Sequence, residues 1–247
     1  MERREYDLVS DVQSEHWFWQ GRKCIIEAIL NRYIEPGGRS HIADVGGGFG
    51  ANIAMLRRYG RVAALEMDDD ALARIAREHG DAVRLIKWKS PEPLEDRFDL
   101  MLLADVLEHI PDDAAAVDWM WNHLNPGGHV MITVPAHQFL WTEMDDVVHH
   151  FRRYSSPQLL GLFTGKFDLR VKGYYNMFLF PVKCAFVGFA RAYRKMAPAR
   201  EKRSYNEIPP RPVNATFKWA LRLESLMIPH MSLPFGVSYV LLARRPA

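Results

Sequence analysis

The feature that most constrains this chain is a short apolar run, Ile42-Ala43-Asp44-Val45, that meets the loop Gly46-Gly47-Gly48-Phe49-Gly50. A strand entering such a loop, with helical spacing resuming through Ile53, Leu56 and Tyr59, brings the backbone close to a ligand and aims free helix N–H groups at it. About twenty residues on, Glu66 closes a second apolar run, Val62-Ala63-Ala64-Leu65, where a carboxylate accepts both hydroxyls of a ribose. A tight turn beside an unrelated surface acid would account for the glycines but not for the register of Glu66. Together the two features point to a nucleoside-containing cofactor. The loop alone leaves its identity open, because Gly46, Gly48 and Ala51 also satisfy the dinucleotide pattern of NAD-binding proteins.

The rest of the chain keeps the same rhythm. A helix is expected over Asp11 to Tyr33, ended by Pro36-Gly37-Gly38, and another over Ala71 to His79. Ala82 to Lys87 and Phe98 to Leu103 read as the third and fourth strands, Asp113 to His123 as a helix. Asn125-Pro126-Gly127-Gly128 reads as a turn into Val130 to Val134. Strands alternating with helices predict an α/β, doubly wound parallel sheet.

Beyond the glycine loop, the stretch from Phe98-Asp99-Leu100 through Asp105-Val106-Leu107-Glu108-His109 is followed by Leu124-Asn125-Pro126-Gly127-Gly128 and a strand ending at Pro135. As a set in this order, these residues closely resemble the class I methyltransferases, and the resemblance covers Ile42 to Pro135. It implies a Rossmann-like, seven-stranded sheet, mostly parallel with an antiparallel last strand, and S-adenosylmethionine as cofactor. Residue by residue, it implies that Asp44, Gly46 and Gly48 line the methionine end. Glu66 would hold the ribose, Met67 would lie against the adenine, and Asp105 or its backbone would meet the methionine amine. Where many members carry an Asp for the adenine amine, this chain has Lys87-Trp88-Lys89-Ser90-Pro91, so Trp88 or Ser90 takes that place.

Two further segments resemble a bacterial subgroup of the same family. The first, Glu15-His16-Trp17-Phe18-Trp19-Gln20-Gly21-Arg22, looks like its aromatic entry helix. The aromatics either roof the cofactor or anchor the helix in the core, and Arg22, if buried, needs an anionic partner such as the cofactor carboxylate. The second, His149-His150-Phe151-Arg152-Arg153-Tyr154, follows the fifth strand and resembles the subgroup's histidine–arginine loop. In an open α/β sheet, ligands bind outside the carboxyl ends of the strands. His109 and His150 are therefore the candidate catalytic groups, with Arg153 and Tyr154 as substrate contacts.

Phe167 to Lys172 fits a sixth strand and Phe235 to Leu242 an antiparallel seventh. About sixty residues separate them, far more than a hairpin loop needs. The expected organisation is an N-terminal helical cap (1–40), a cofactor-binding core (41–173 and 235–247) and a helical insertion (174–234) capping the active site. The insertion opens with the apolar stretch Tyr174 to Ala190, short for a membrane span and broken by Pro181 and Lys183. It reads as a capping helix or as an interfacial helix meeting a lipid-linked substrate. Arg191, Arg194, Lys195, Arg200, Lys202 and Arg203 follow, and suit an anionic surface, so peripheral membrane contact through 174–203 is one expectation.

With 48% apolar and 25% charged residues a packed core is expected, and a formal net charge of +2 gives no reason to expect a nucleic-acid partner. Cys24 and Cys184 are read as reduced thiols, and the charged start Met1-Glu2-Arg3-Arg4-Glu5 as no secretory signal, so a cytoplasmic protein is expected. The expected reaction is O-methylation of a small-molecule or lipid-linked acceptor such as a sugar, a phenol or a natural-product intermediate. An NAD-binding oxidoreductase and a catalytically silent cofactor-binding subunit are the alternatives. Asp105, Glu108, His109 and His150 also resemble the divalent-cation ligands of ubiquinone-type O-methyltransferases and small-RNA terminal methyltransferases, with Asp in place of the first Glu. Two carboxylates and two imidazoles suit such an ion. The alternative is that Glu108 merely caps nearby N–H groups.

Overall fold

The computed structural model describes residues 12–196 and 208–247. Strands β1 (Ser40–Val45), β2 (Gly60–Glu66), β3 (Val83–Lys87), β4 (Phe98–Ala104) and β5 (Leu124–Pro135) pair in parallel. β6 (Asp168–Tyr175) and β7 (Ser238–Arg244) complete the sheet in the order β3-β2-β1-β4-β5-β7-β6, with β7 antiparallel to both neighbours. The expected seven-stranded, mostly parallel sheet is therefore observed. Its order reverses between β1 and β4, the place where doubly wound sheets open a crevice for ligands.

The central strands are buried on both faces, which is why they read as continuous apolar runs. Along β4, Met101 and Leu103 face one hydrophobic core and Leu100 and Leu102 the other, the two-residue alternation of a pleated strand. The first core holds Trp119 and Met120 of α4 (Asp113–His123) and Phe163 of α6 (Ser156–Phe163). The second holds Ile25, Ile26 and Ile29 of α1 (Trp17–Tyr33), Leu56 of α2 (Ile53–Leu56) and Ile75 of α3 (Asp69–His79). Helix starts follow their local chemistry: Asp68 and Asp112 accept from the N–H groups of Ala71 and Ala115 at the heads of α3 and α4.

Several boundaries differ from expectation. Asn125 to Gly128 is part of β5, not a turn before it: Leu124 pairs with Phe98, the register shifts before Leu100, and Asp99 accepts from the Asn125 amide at 2.7 Å. The helix after the glycine loop is the single turn α2, and Tyr59 instead buries its ring and donates to Asn31 at 2.6 Å. β6 runs on to Tyr175 because β7 continues opposite it, pairing Tyr174 with Tyr239 and Tyr175 with Ser238. The helical insertion thus begins after Tyr175, two residues later than expected. At the other end, α1 starts at Trp17, capped by His16; residues 1–11 of the expected cap lie outside the described residues.

The insertion contributes α7 (Phe180–Met196) and α8 (Arg211–Met227). Helix α8 docks on α1 where Gly21 leaves room, since any Cβ there would collide with the Leu221 side chain. Trp17 donates its backbone N–H to Asn214 of α8 at 2.8 Å and sets its ring edge-on to Phe217. Glu224, fully buried on α8, accepts the N–H groups of Asn176 (2.5 Å) and Phe178 (3.0 Å) and so fastens the exit of β6. Among the described residues no helix is long and apolar enough to cross a membrane. Arg200, Lys202 and Arg203 of the expected basic cluster lie outside the described residues, as do the side chains of Arg194 and Lys195.

Candidate active site

A cleft of about 850 Å³ opens at the carboxyl ends of β1, β2, β4 and β5, a volume in the usual range for ligand sites. Its floor is the glycine loop. Gly48 has φ +57, and the direction in which a side chain would grow from it is open space toward the cleft. The positive φ favours glycine, and any larger residue would point into the volume a ligand needs. Glu66, at the end of β2, accepts the N–H of Gly48 on one oxygen (3.0 Å) and those of Met67 (2.7 Å) and Asp68 (3.1 Å) on the other. Three backbone donors thus fix the carboxylate at the mouth of the loop with acceptor capacity to spare.

Asp44 departs from its expected place. It does not line the cleft but lies behind the loop, where a Cβ on Gly47 would strike its carboxylate. Neither oxygen meets a hydrogen-bond donor of normal geometry, and burial raises its pKa to about 7, against the influence of Asn52 and Arg22. A carboxyl whose pKa is higher folded than unfolded stabilises the fold fully below pH 3.8, and that contribution is lost as pH rises toward 7. Wild-type protein should therefore lose stability relative to Asp44→Asn between pH 5 and pH 8, and the gap between their melting temperatures at the two pH values measures it. A gap independent of pH would mean that Asp44 carries its charge freely.

On the adenine side, Met67 stands exposed at the cleft. Trp88 cannot serve as a polar contact there, because its indole N–H donates to the Glu92 carbonyl at 2.6 Å and its ring packs on Trp119. Ser90 fits better: its hydroxyl is buried, unpartnered and on the cleft wall.

Arg22 is buried as expected, but its anionic partner lies within the fold. Its Nη1 donates to Asp105 Oδ2 at 2.5 Å and to the Ala104 carbonyl, while Nε has no partner. Thr133 donates to the other oxygen of Asp105 at 2.9 Å. Trp17, Phe18 and Trp19 line the cleft, and Trp17 also packs on α8, so the helix both roofs the site and anchors the insertion.

The histidine–arginine loop folds around Asp145, a residue that sequence reasoning missed. Arg153 grips Asp145 with two bonds, Nε to Oδ1 (2.7 Å) and Nη2 to Oδ2 (3.0 Å). Asp145 Oδ1 also lies 2.9 Å from His150 Nδ1. Burial pushes the Asp145 carboxyl up, but His150 and Arg153 outweigh it and hold the group well below the ordinary carboxylate range. Ionised Asp145 fixes the proton on Nδ1 and leaves Nε2 of His150 as an acceptor within the cleft. Arg153 lines the cleft, but its guanidinium is committed to Asp145. Tyr154 is a correction: it is 2% exposed, packs in the core and donates to Asp113 at 2.9 Å, away from the cleft.

Beside His150 lies Glu108, fully buried, with neither oxygen accepting a hydrogen bond of normal geometry. Burial and then Asp105 raise its pKa well above the usual value. Burial and then His150 lower His109 to about 4, so its imidazole is neutral near pH 7. Candidate ligand atoms of Glu108, His109 and His150 all lie within 4.8 Å of one another. Asp105, the fourth residue of the expected cation set, is outside this group, being held by Arg22 and Thr133.

The chain is similar to several named methyltransferases. The ubiquinone biosynthesis O-methyltransferase of Pseudomonas aeruginosa is 26% identical over 151 residues, a match covering 53% of this chain and 65% of that protein. The trans-aconitate 2-methyltransferase of Deinococcus radiodurans is 28% identical over 100 residues, covering 39% of this chain and 38% of the relative. Among solved structures, the N-methyltransferase NodS from Bradyrhizobium japonicum WM9, in complex with S-adenosyl-L-homocysteine, superposes with a TM-score of 0.57. It has 12% identity, and the match covers 96% of this chain and 91% of that one. The [4+2]-cyclase SpnF gives 0.59 at 19% identity, covering 99% and 95%. At such identities these two show the shared fold alone. The family model described as a methyltransferase domain matches residues 18–171, from the aromatic helix through the histidine–arginine loop into β6. With the glycine loop, Glu66 and the Asp105 turn in place on that fold, the NAD alternative falls away, and the chain belongs to the class I S-adenosylmethionine-dependent methyltransferases.

Proposed function

We propose that this enzyme methylates an oxygen of a small-molecule or lipid-linked acceptor held beneath α7 and α8, with His150 as the base. The observation that carries this reading is the Asp145–His150 bond, which leaves Nε2 free to take a proton inside the cleft. In the transfer, the bond from sulfur to the methyl carbon breaks, a bond from acceptor oxygen to that carbon forms, and the hydroxyl proton passes to Nε2. The leaving thioether is neutral, so the protein's work is alignment and proton removal. An oxygen nucleophile needs such a base more than an amine does, and the name of the ubiquinone O-methyltransferase relative also favours oxygen. The lipid-linked option rests on α7, which exposes Val182, Phe186, Phe189 and Tyr193.

A second reading is a divalent cation held by Glu108, His109 and His150, in which Nε2 of His150 is a ligand and the hydroxyl proton leaves to water instead of to His150. A buried carboxylate with no donor is costly unless something satisfies it. Ligand atoms around one ion at 2.0–2.2 Å sit at most about 4.4 Å apart, so the observed spread needs only a small contraction. Asp145 on His150 Nδ1 has the form of the carboxylate partner that metal-bound histidines commonly carry. Such an ion would lower the pKa of an acceptor hydroxyl.

The test is transfer of a labelled methyl from S-adenosylmethionine into fractionated lipid and aqueous extracts, run with untreated and chelator-dialysed protein. The label is expected in an O-methyl product; turnover unchanged by chelation supports His150 as the base, whereas a loss of about tenfold or more that a divalent ion restores supports the cation reading. Label in an amine, or in no fraction, would overturn the O-methyl reading.

A further inference from the structure

The wall of the cleft contributed by α7 holds a cation that neither the family pattern nor the proposed proton transfer uses. Val182, Lys183 and Phe186 line the cleft from one face of α7, and Leu179, in the turn just before the helix, lines it beside them. Three of the four are apolar. Lys183 is the exception, half-buried, with its ammonium 5.8 Å from the Phe186 ring centroid. Among the described residues its ammonium has no ion pair and no hydrogen bond. The charged groups whose fields reach it are Arg153 and Asp145, and those two are already paired with each other. The second cleft arginine, Arg22, is likewise ion-paired, with Asp105. A cation on an apolar wall, beside an acid already neutralised, is arranged for an anion that the protein does not supply.

We propose that Lys183 binds a carboxylate of the acceptor, so that the enzyme's substrates are small organic acids whose apolar frame lies along Leu179, Val182 and Phe186. This rests on the proposed placement of the acceptor beneath α7. Burial, reinforced by Arg153 and opposed by Asp145, lowers the Lys183 pKa to about 8. An arriving carboxylate would reverse that by restoring a partner to the buried charge. Lys183 would then select acceptors by charge while Asp145 and His150 perform the proton transfer, and the reaction leading to this substrate would be one that leaves a free carboxyl on an apolar or aromatic skeleton.

The test uses the full chain saturated with S-adenosylhomocysteine and titrated with benzoate, cinnamate and 4-hydroxybenzoate, each against its methyl ester. Wild-type protein should bind at least one acid about tenfold more tightly than its ester, the discrimination expected of one charge-assisted hydrogen bond. Lys183→Met and Lys183→Gln should bind acid and ester alike, and Lys183→Arg should keep the preference. S-adenosylhomocysteine binding to each variant reports that its fold is intact. No acid binding better than its ester, or a preference that survives in Lys183→Met and Lys183→Gln, overturns the proposal. Because methyl transfer is not the readout, a cleft that binds S-adenosylhomocysteine without preferring acids would leave the methyltransferase reading standing.

Discussion

Replacing His150 with Ala should lower kcat by about 10²–10⁴-fold, the span usual for a lost general base, while S-adenosylmethionine binding stays within about twofold of wild type. The imidazole lines the cleft, its Nδ1 2.9 Å from Asp145, and among the described residues it makes no hydrogen bond to the glycine loop or Glu66. Asp145 is a positioning residue in this scheme, and Asp145→Asn should act through the imidazole. It leaves the ring present but removes the charge that fixes its tautomer, so the loss should be accompanied by a shifted pH–rate profile. Steady-state turnover at saturating acceptor gives kcat, single-turnover transfer gives the chemical step, and calorimetry gives cofactor affinity. His150→Ala turning over at near wild-type rate would remove His150 as the base and leave the acceptor's own acidity to explain the proton.

Much of this site is legible in the sequence because its parts are local. Glu66 ends a strand, the glycine loop and Asp105 each follow directly on one, and strands announce themselves by short apolar runs. The pairs that complete the site are not local. Arg22 meets Asp105 across 83 residues, Glu224 meets Asn176 across 48, and Trp17 meets Asn214 across 197. Nothing in the spacing of those residues marks them as partners. Tyr154 shows the opposite error. Its motif groups it with His150 and Arg153, yet its neighbour Arg153 faces the cleft while its own ring turns into the core and its hydroxyl finds Asp113. Asp145 was in plain view five residues before His150, but the short helix α5 (Glu143–Val147) and the return of the loop bring them together. Asp44 reads as a ligand residue from the family pattern, whereas the close approach of Gly47 seals it from the cleft.

The second large effect is expected at Glu66. Two charge-assisted bonds to a ribose are together worth about 3 kcal/mol or more, so Glu66→Ala should weaken S-adenosylmethionine binding by about 100-fold or more. The substitution also frees the N–H groups of Gly48, Met67 and Asp68, and the glycine loop loses its brace together with the ribose contact. Glu66→Gln separates the two contributions. Its amide oxygen can still brace part of the loop, but the negative charge toward the hydroxyls is gone, so its affinity should fall between those of wild type and Glu66→Ala. This carboxylate and the Gly48 loop are expected to form the nucleoside end of an S-adenosylmethionine site. The decisive measurement is calorimetric titration of wild type, Glu66→Gln and Glu66→Ala with S-adenosylmethionine, and of wild type with NADH. The predicted result is saturable S-adenosylmethionine binding that weakens in that order, and no heat from NADH. Glu66→Ala binding S-adenosylmethionine as tightly as wild type, or wild type binding NADH in its place, would contradict it.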